Sequence, residues 1–306
     1  MATPDFITPA LLELREHFRN DPEGFDIRLV GGCVRDYLRG QDHPKDIDLC
    51  TDANPEQQIA VYRRHGVKFI TTGLQHGTIT VKIGSELFEI TSLRGETDHD
   101  GRHATVFYHR DWEADQSRRD LTINSIMMDL DGITYDPFHG EEDLKQGRVV
   151  FVGDPGERMR EDYLRILRLV RFHGRFTKTL ALDEDTADAV RLHAKGLEGI
   201  SRERVWSEVS RIATGLYGGY MLYEMMRLGV SGPCGLPNGA WREVNMVEGM
   251  VQSPVAMMVA FLIDPKAVAK LAEDWKWSSA ETRLGAFLSE NLMQASDWRW
   301  LLAKDR

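Results

Sequence analysis

Ile27-Arg-Leu-Val-Gly-Gly-Cys-Val-Arg-Asp-Tyr-Leu-Arg-Gly40 decides how the first half of this chain folds. Ile27 to Val30 is a short apolar strand, Gly31-Gly32 a turn free to take backbone shapes other residues avoid, and Cys33 to Arg39 a helix that Gly40 closes. Strand, glycine turn and helix together leave bare N–H groups at a positive helix end. A phosphate can sit there, with Arg35 one turn inside. Tight turns need glycines too, so at this stage the stretch is a candidate phosphate loop and equally a plain turn.

Asp46-Ile47-Asp48-Leu49 follows at once. In an extended strand, alternation puts Asp46 and Asp48 on one face and Ile47 and Leu49 on the other. Two carboxylates aimed at one spot repel unless a cation lies between them, and Mg2+ prefers one or two carboxylates plus substrate phosphates. An isolated Asp-x-Asp is otherwise a polar turn. Further on, Pro55 to Arg64 reads as a helix, and Val67 to Ile70, Thr78 to Ile83 and Leu87 to Ser92 alternate as strands of a small mixed sheet. Glu89 is acidic among Leu87, Phe88 and Ile90, so it is either a third carboxylate of the same site or a solvent-facing strand residue.

Arg94 to Arg118 is polar and nearly free of periodicity, which predicts a long loop. Asp98 and Arg102 are spaced to pair within it, making the loop a candidate for reshaping a pocket. His99-Asp100 resembles part of a hydrolase metal motif but has no second histidine and aspartate to support it. Arg118-Arg119-Asp120 precedes a helical Leu121 to Met128. Arg119 at that helix start is a candidate triphosphate clamp, or else an ordinary solvated helix end.

Six arginines lie between Arg158 and Arg175. A helix from about Glu161 turns Tyr163, Ile166, Leu167 and Val170 to one side and Asp162, Arg165, Arg168 and Arg175 to the other. Asp162 and Arg165 are then surface neighbours, an acceptor beside a fork of donors. Cytosine and adenine each present an amino group next to an unprotonated ring nitrogen, which matches that pair, whereas uracil and guanine present the reverse and would leave buried polar groups unpaired. The bland alternative is an intrahelical ion pair on a solvated face. Beyond Arg175 every long periodic segment is helical, and the glycine- and proline-rich Ser231 to Gly239 reads as a linker. The expected fold is α+β: a head over residues 1–150 with a small mixed sheet and flanking helices, a helical neck over 151–215, and a short helical body over 216–306.

A chain of 306 residues is long enough for two or more packed units. Its net charge of -10 argues against indiscriminate polyanion binding, so contact with nucleic acid requires a local basic strip such as Arg158 to Arg175. The three cysteines, Cys33, Cys50 and Cys234, fit neither a disulfide framework nor a zinc site and suit a reducing compartment. The longest apolar run, Val255 to Ile263, is too short to span a membrane. A soluble cytoplasmic protein is expected, with its oligomeric state undetermined.

Taken in order, Leu29-Val-Gly-Gly-Cys-Val-Arg-Asp36, Lys45-Asp-Ile-Asp-Leu49, Thr72-Gly-Leu-Gln-His-Gly-Thr-Ile-Thr-Val81, Arg118-Arg-Asp-Leu-Thr-Ile-Asn124 and Glu161-Asp-Tyr-Leu-Arg-Ile-Leu-Arg168 resemble the motifs of class II tRNA nucleotidyltransferases, the CCA-adding enzymes. Bacterial poly(A) polymerases share most of this head. The resemblance runs from about residue 27 to Arg211, where Ser201-Arg-Glu-Arg-Val-Trp-Ser-Glu208 looks like the end of the family's neck. It implies that Gly32 and Arg35 contact the triphosphate, Asp46 and Asp48 hold Mg2+, Arg119 steadies the nucleotide, Asp162 and Arg165 read the base, and Arg168 and Arg171 lie on nucleotide or primer phosphates. The implied reaction adds C, C and A from CTP and ATP to the 3′ end of tRNA. Cys33 stands where the family usually has alanine, and the helices after Arg211 match no family segment. Three alternatives remain at this point: a poly(A) polymerase, a partial enzyme adding only CC or only A, and a non-enzymatic RNA-binding module. The paired aspartates speak against the last, since clustered acid repels phosphate.

Overall fold

The computed structural model describes residues 4–44, 46–97, 105–177 and 179–292. Lys45, Asp98, His99, Asp100 and Arg102 lie outside them, so the proposed Asp98/Arg102 pair and the His99-Asp100 reading have no structural counterpart here. The chain divides into two compact units, Met1–Lys145 with Val150–Gly153, and Gln146–Val149 with Asp154–Arg306.

In the first unit α1 (Pro9–Arg19) starts where Thr8 caps the amide of Leu11 and Pro9 fixes the first turn, and its buried stripe is Leu11, Leu14 and Phe18. It is followed by β1 (Ile27–Val30), α2 (Gly32–Leu38), β2 (Asp48–Thr51) and α3 (Pro55–Arg64). Asn54 and Gln57 cap α3 reciprocally, each accepting the other's backbone N–H at 2.9 Å. Then come β3 (Lys68–Ile70), β4 (Thr78–Ile83), β5 (Glu86–Ser92), β6 (Arg94–Thr97), β7 (Thr105–Tyr108), α4 (Trp112–Ser117), α5 (Thr122–Ser125), β8 (Met127–Met128), β9 (Thr134–Tyr135) and α6 (Gly140–Gln146).

Seven strands form one mixed sheet in the order β3-β4-β5-β2-β1-β8-β9, in which only β2 and β5 run parallel. Ile79, Val81, Phe88, Ile90 and Leu49 on one face join Leu11, Leu14 and Phe18 of α1 and Val61 and Tyr62 of α3 in the head core. A buried polar chain ties α3 to β5: the Tyr62 hydroxyl donates to Gln58 Oε1 (2.7 Å), Gln58 Nε2 to Ser92 Oγ (2.8 Å), and Ser92 Oγ to the Ala53 carbonyl (2.7 Å).

Two segments of this unit depart from the sequence reading. Arg94 to Arg118 is not a single loop, because β6 and β7 pair as an antiparallel ribbon and α4 follows, capped by Asp111. The helix expected over Leu121 to Met128 stops after one turn, since Ile126 is extended and Met127 pairs with Val30 of β1. That run is wholly buried, its polar Thr122, Asn124 and Ser125 included, so its periodicity carries no directional information.

The second unit holds α7 (Pro155–Glu161), α8 (Leu164–Phe176), α9 (Glu184–His193), α10 (Arg202–Ala213), α11 (Gly218–Arg227), α12 (Ser231–Cys234), α13 (Trp241–Val247), α14 (Pro254–Leu262), α15 (Pro265–Asp274) and α16 (Ser279–Leu292). Helix α8 packs on α10 and α11, and α14 on α10, α13 and α16. Trp206 of α10 sits among Trp275 and Trp277 and donates its indole N–H to Glu281 of α16 (3.0 Å). Ser231 to Gly239 is no exposed linker: it opens with α12, and Ser231, Cys234 and Leu236 are buried.

Tyr62→Phe deletes the donor to Gln58 in a site closed to water. The expected loss is about 1 to 2 kcal/mol in denaturant unfolding; a change under about 0.3 kcal/mol would make the chain incidental to stability. A second test concerns Glu248, at the end of α13, whose carboxyl burial pushes up to about 7 from an ordinary 4.5. A carboxylate whose folded-state pKa exceeds its unfolded value lowers stability wherever it is ionised, so the penalty is absent in acid and grows as pH rises through the folded value. Glu248→Gln should therefore raise Tm over the parent at pH 8 and give a much smaller difference at pH 5. Equal shifts at both pH values would refute the assignment.

Candidate active site

The parallel pairing of β2 with β5 sets Asp48 directly opposite Glu89, so both side chains leave the same face of the sheet. Both are exposed, while Leu49 and Ile90, next along each strand, are buried on the other face. The strand expected from Asp46 begins two residues later, at Asp48, which leaves Asp46 exposed just before it. Partial burial, with Asp46 and Glu89 adding like charge, holds the Asp48 carboxyl above its ordinary value, against the pull of Arg119. Asp46, Asp48, Glu89 and Arg119 therefore share one electrostatic neighbourhood, with three negative charges and one positive.

Arg119 is not at a helix start; it lies between α4 and α5. Its Nη2 donates to Asp115 Oδ2 (3.0 Å) and lies 3.6 Å from Cys50 Sγ. Asp115 is fully buried and also accepts from Arg118 Nε (2.9 Å). Burial works to raise its carboxyl, but Arg119 and Arg118 outweigh that and hold it below the usual range. Asp115 is thus the anchor of both arginines. Its spacing, four residues before Arg119 on a capped helix, was the available sequence signal. Burial pushes the Cys50 thiol up to about 12, so it packs as a small neutral group beneath the guanidinium.

The glycine turn lies against the same arginine. Gly31 has φ +69, a conformation glycine takes without strain, and a side-chain carbon there would sit 3.7 Å from Arg119 Nη1. A carbon on Gly32 would sit 3.7 Å from Arg35 Nη2. Arg35 is only 5% exposed: Nε pairs with Asp36 (2.9 Å) and Nη1 donates to Asn124 Oδ1 (2.5 Å), whose amide donates to Asp120 (3.3 Å). The sequence reading named Arg35 but not Asn124, whose importance depends on a fold that brings α5 to α2.

A divalent cation fits this corner through Asp46 and Asp48, since the repulsion that raises Asp48 is what a cation relieves. Among the described residues no three acidic, histidine or cysteine side chains converge to enclose a metal unaided. That suits a cation completed by substrate oxygens better than a closed structural site.

In the second unit the geometry corrects the expected reading helix. Asp162 does not lie on α8. It is extended (φ -154, ψ 105) in the break between α7 and α8, where its Oδ1 accepts the Leu164 amide (3.0 Å). An aspartate that bonds a nearby amide favours helix starts over helix interiors, and here that tendency wins. Tyr163 fixes the break by lying against Gly196, where a side-chain carbon would fall 2.1 Å from its ring. Ile166, Leu167 and Val170 are buried as expected.

Asp162 and Arg165 are not paired with each other here. Arg204 of α10 donates to Asp162 Oδ2 (2.6 Å), while Arg165 Nη1 donates to Glu161 Oε2 (2.5 Å), which shares its carboxylate with Arg158 (2.7 Å). Arg171 is tied to the buried Glu208 (2.9 Å) with its guanidinium 4.3 Å from the Phe172 ring centre, so a phosphate reaches it only in competition with that pair. Arg168 lies 5.7 Å from the same ring. Arg204 and Glu161 escaped the sequence reading; Glu161 had the i,i+4 spacing to Arg165, whereas nothing local links Arg204 to a residue 42 positions earlier.

Residues 27–150 match the poly A polymerase head domain family. The chain is 43% identical over 288 residues to the mitochondrial CCA tRNA nucleotidyltransferase 1 of Danio rerio, covering 92% of this chain and 66% of that protein. To the Homo sapiens enzyme of the same name it is 39% identical over 310 residues, covering 97% of this chain and 71% of the relative. Among solved structures, the Bacillus stearothermophilus CCA-adding enzyme in complex with CTP superposes with a TM-score of 0.76 at 26% identity, over 95% of this chain and 72% of that one. With similarity to both animal enzymes continuing through the head and the helices beyond it, the chain belongs to the CCA tRNA nucleotidyltransferase family.

Proposed function

We propose that this chain, spanning about two thirds to seven tenths of its animal relatives, itself adds C, C and A from CTP and ATP to the 3′ end of tRNA and releases diphosphate. The observation that supports this most directly is the Asp48–Glu89 register step beside Arg119 and the Gly31-Gly32 turn, all on one unit. In this reading Gly32 and Arg35 receive the triphosphate and Arg119, oriented by Asp115, steadies it. Mg2+ bound by Asp46 and Asp48 supplies acidification of the primer 3′-hydroxyl and neutralisation of triphosphate charge. Glu89 holds that corner negative and polar.

Base choice falls to Asp162 and Arg165, each pre-oriented by its own partner, Arg204 and Glu161. Asp162 retains a lone pair on Oδ1 that can accept the amino group of cytosine or adenine. Arg168 and Arg171 are the candidates for contact with nucleotide or primer phosphates, Arg171 in competition with Glu208. We place the protein in the cytoplasm, where its three buried free thiols stay reduced. Both animal relatives are named as mitochondrial, so cell fractionation is the deciding measurement for compartment.

Incubation with Mg2+ and tRNAs ending before C, after C and after CC, with CTP and ATP singly and together, should give stepwise growth to CCA and then stop. Asp48→Ala should abolish that growth while leaving tRNA binding near the parent value. Long A tails would instead identify a poly(A) polymerase, and turnover of Asp48→Ala within a few-fold of the parent would remove the aspartate from metal binding.

Asp162→Ala should lose about 1 to 3 kcal/mol of discrimination against UTP and GTP, by analogy with base-edge contacts in duplexes. Arg204→Ala should lose part of the same discrimination, because the acceptor survives but turns freely. Equal loss of rate with all four nucleotides in Asp162→Ala would make the residue a helix cap and no more.

A further inference from the structure

Strands β3, β4 and β5 have one packed face and one open face. Ile79, Val81, Phe88 and Ile90 enter the core, and the residues between them point the other way. Across the open face the register aligns Asp48, Glu89, Thr80 and Ile70 in one row, and Leu87, Lys82 and Lys68 in the next. The carboxylates thus occupy one corner of a surface that continues for two more strands. The second row lies about 7 Å along the strands from the first, and β3 about 10 Å across from β5.

That continuation is unusual for a solvent-facing sheet. Ile70 is 54% exposed and Leu87 63%, although the open face of an antiparallel sheet ordinarily carries polar residues. Lys68 and Lys82 flank them, both exposed and without an ion pair among the described residues. The other acid of β5, Glu86, belongs to the packed side, where it accepts from Thr8 Oγ1 (2.8 Å), so it does not neutralise them. Lysine on an edge strand also deters sheet-to-sheet pairing, which accounts for Lys68. It does not account for Ile70 and Leu87, which favour such pairing.

We infer that this face is the track on which the last nucleotides of the RNA primer lie. The argument rests on the nucleotidyl-transfer reading of Asp46 and Asp48. A primer whose 3′-hydroxyl reaches those carboxylates must leave across an adjoining surface, and here that surface is continuous with them. Its two lysines match phosphates in a chain of net charge -10, and its exposed aliphatic side chains match the flat faces of bases or ribose.

The test uses the full chain, Mg2+, CTP and a tRNA lacking its CCA end, with the double variants Lys68→Glu/Lys82→Glu and Ile70→Ser/Leu87→Ser. All four positions are exposed or lie on the open face, and Tm should stay at the parent value. Each double variant should raise KM for the tRNA severalfold and leave KM for CTP, and kcat at saturating tRNA, unchanged. For the lysine pair the slope of log(kcat/KM) against log salt should fall by about 1.4, from about 0.7 per single-strand phosphate lost. Unchanged tRNA KM and salt slope in both variants, or a fall in kcat alone, would overturn the inference. Binding of the same tRNA without nucleotide, read by fluorescence anisotropy, separates this outcome from failure of the parent reading: an inactive wild-type chain refutes nucleotidyl transfer, and undiminished RNA affinity in the lysine variant refutes the track.

Discussion

Two carboxylates directly opposite each other on neighbouring strands repel, and the polar corner of the head is arranged around that repulsion. Strand partners lie about 5 Å apart, close enough for their charges to interact across partly buried surface. The β2–β5 pair is the only parallel one in the sheet, and it is what sets Asp48 against Glu89. Arg119 supplies the counter-charge, Asp115 fixes Arg119, and Gly31 takes the positive φ that turns the backbone beside the guanidinium. The buried acid of Asp115 and the like charges of Asp48 and Glu89 are local costs set against a preformed polar corner. Such costs are tolerated where chemistry needs groups held ready.

Legibility from sequence followed the strength of local signals. α3 could be read to the residue because Asn54, Pro55 and Gln57 specify its start, and β1 and β4 because one face of each is buried. The β6–β7 ribbon was unreadable: Arg94, Gly95, Val106, Phe107 and Tyr108, the ribbon's residues whose burial is described, are held by strand pairing and none of them is buried to impose alternation. The break at Asp162 was hidden for the opposite reason. Met159 and Ile166, seven residues apart and both buried, continue a helical period straight through it, so the apolar pattern outvoted the one residue whose chemistry favours a cap.

For the candidate site the division is similar. Glu89 stood out as an acid among Leu87, Phe88 and Ile90, Asp46 and Asp48 because alternation puts both on one face, Asp162 by its spacing to Arg165, and Arg119 by its place before an expected helix. The residues that orient the site's charged groups, Asp115 for Arg119, Asn124 for Arg35, Arg204 for Asp162 and Glu208 for Arg171, look like ordinary helix residues until the fold brings them into place. An orienting residue needs only to reach its partner, and many sequences satisfy that, so it leaves little trace in the chain.

In the proposed reaction the arginine-rich segment lets an acidic protein meet RNA without binding it indiscriminately. Its guanidinium groups are not a uniform positive strip: Arg158 and Arg165 share Glu161, Arg171 faces Glu208, and Arg168, Arg171 and Arg175 lie over the rings of Phe172 and Phe176. A guanidinium held by a carboxylate or a ring presents its remaining N–H groups in fixed directions, and one held by a carboxylate also contributes little net potential. Free charge attracts every phosphate alike, whereas fixed donors reward only a ligand whose acceptors meet them. Under the proposed template-free transfer the second property is the necessary one, since selecting two bases among four would rest on the direction of a few hydrogen bonds and would gain nothing from a stronger general attraction.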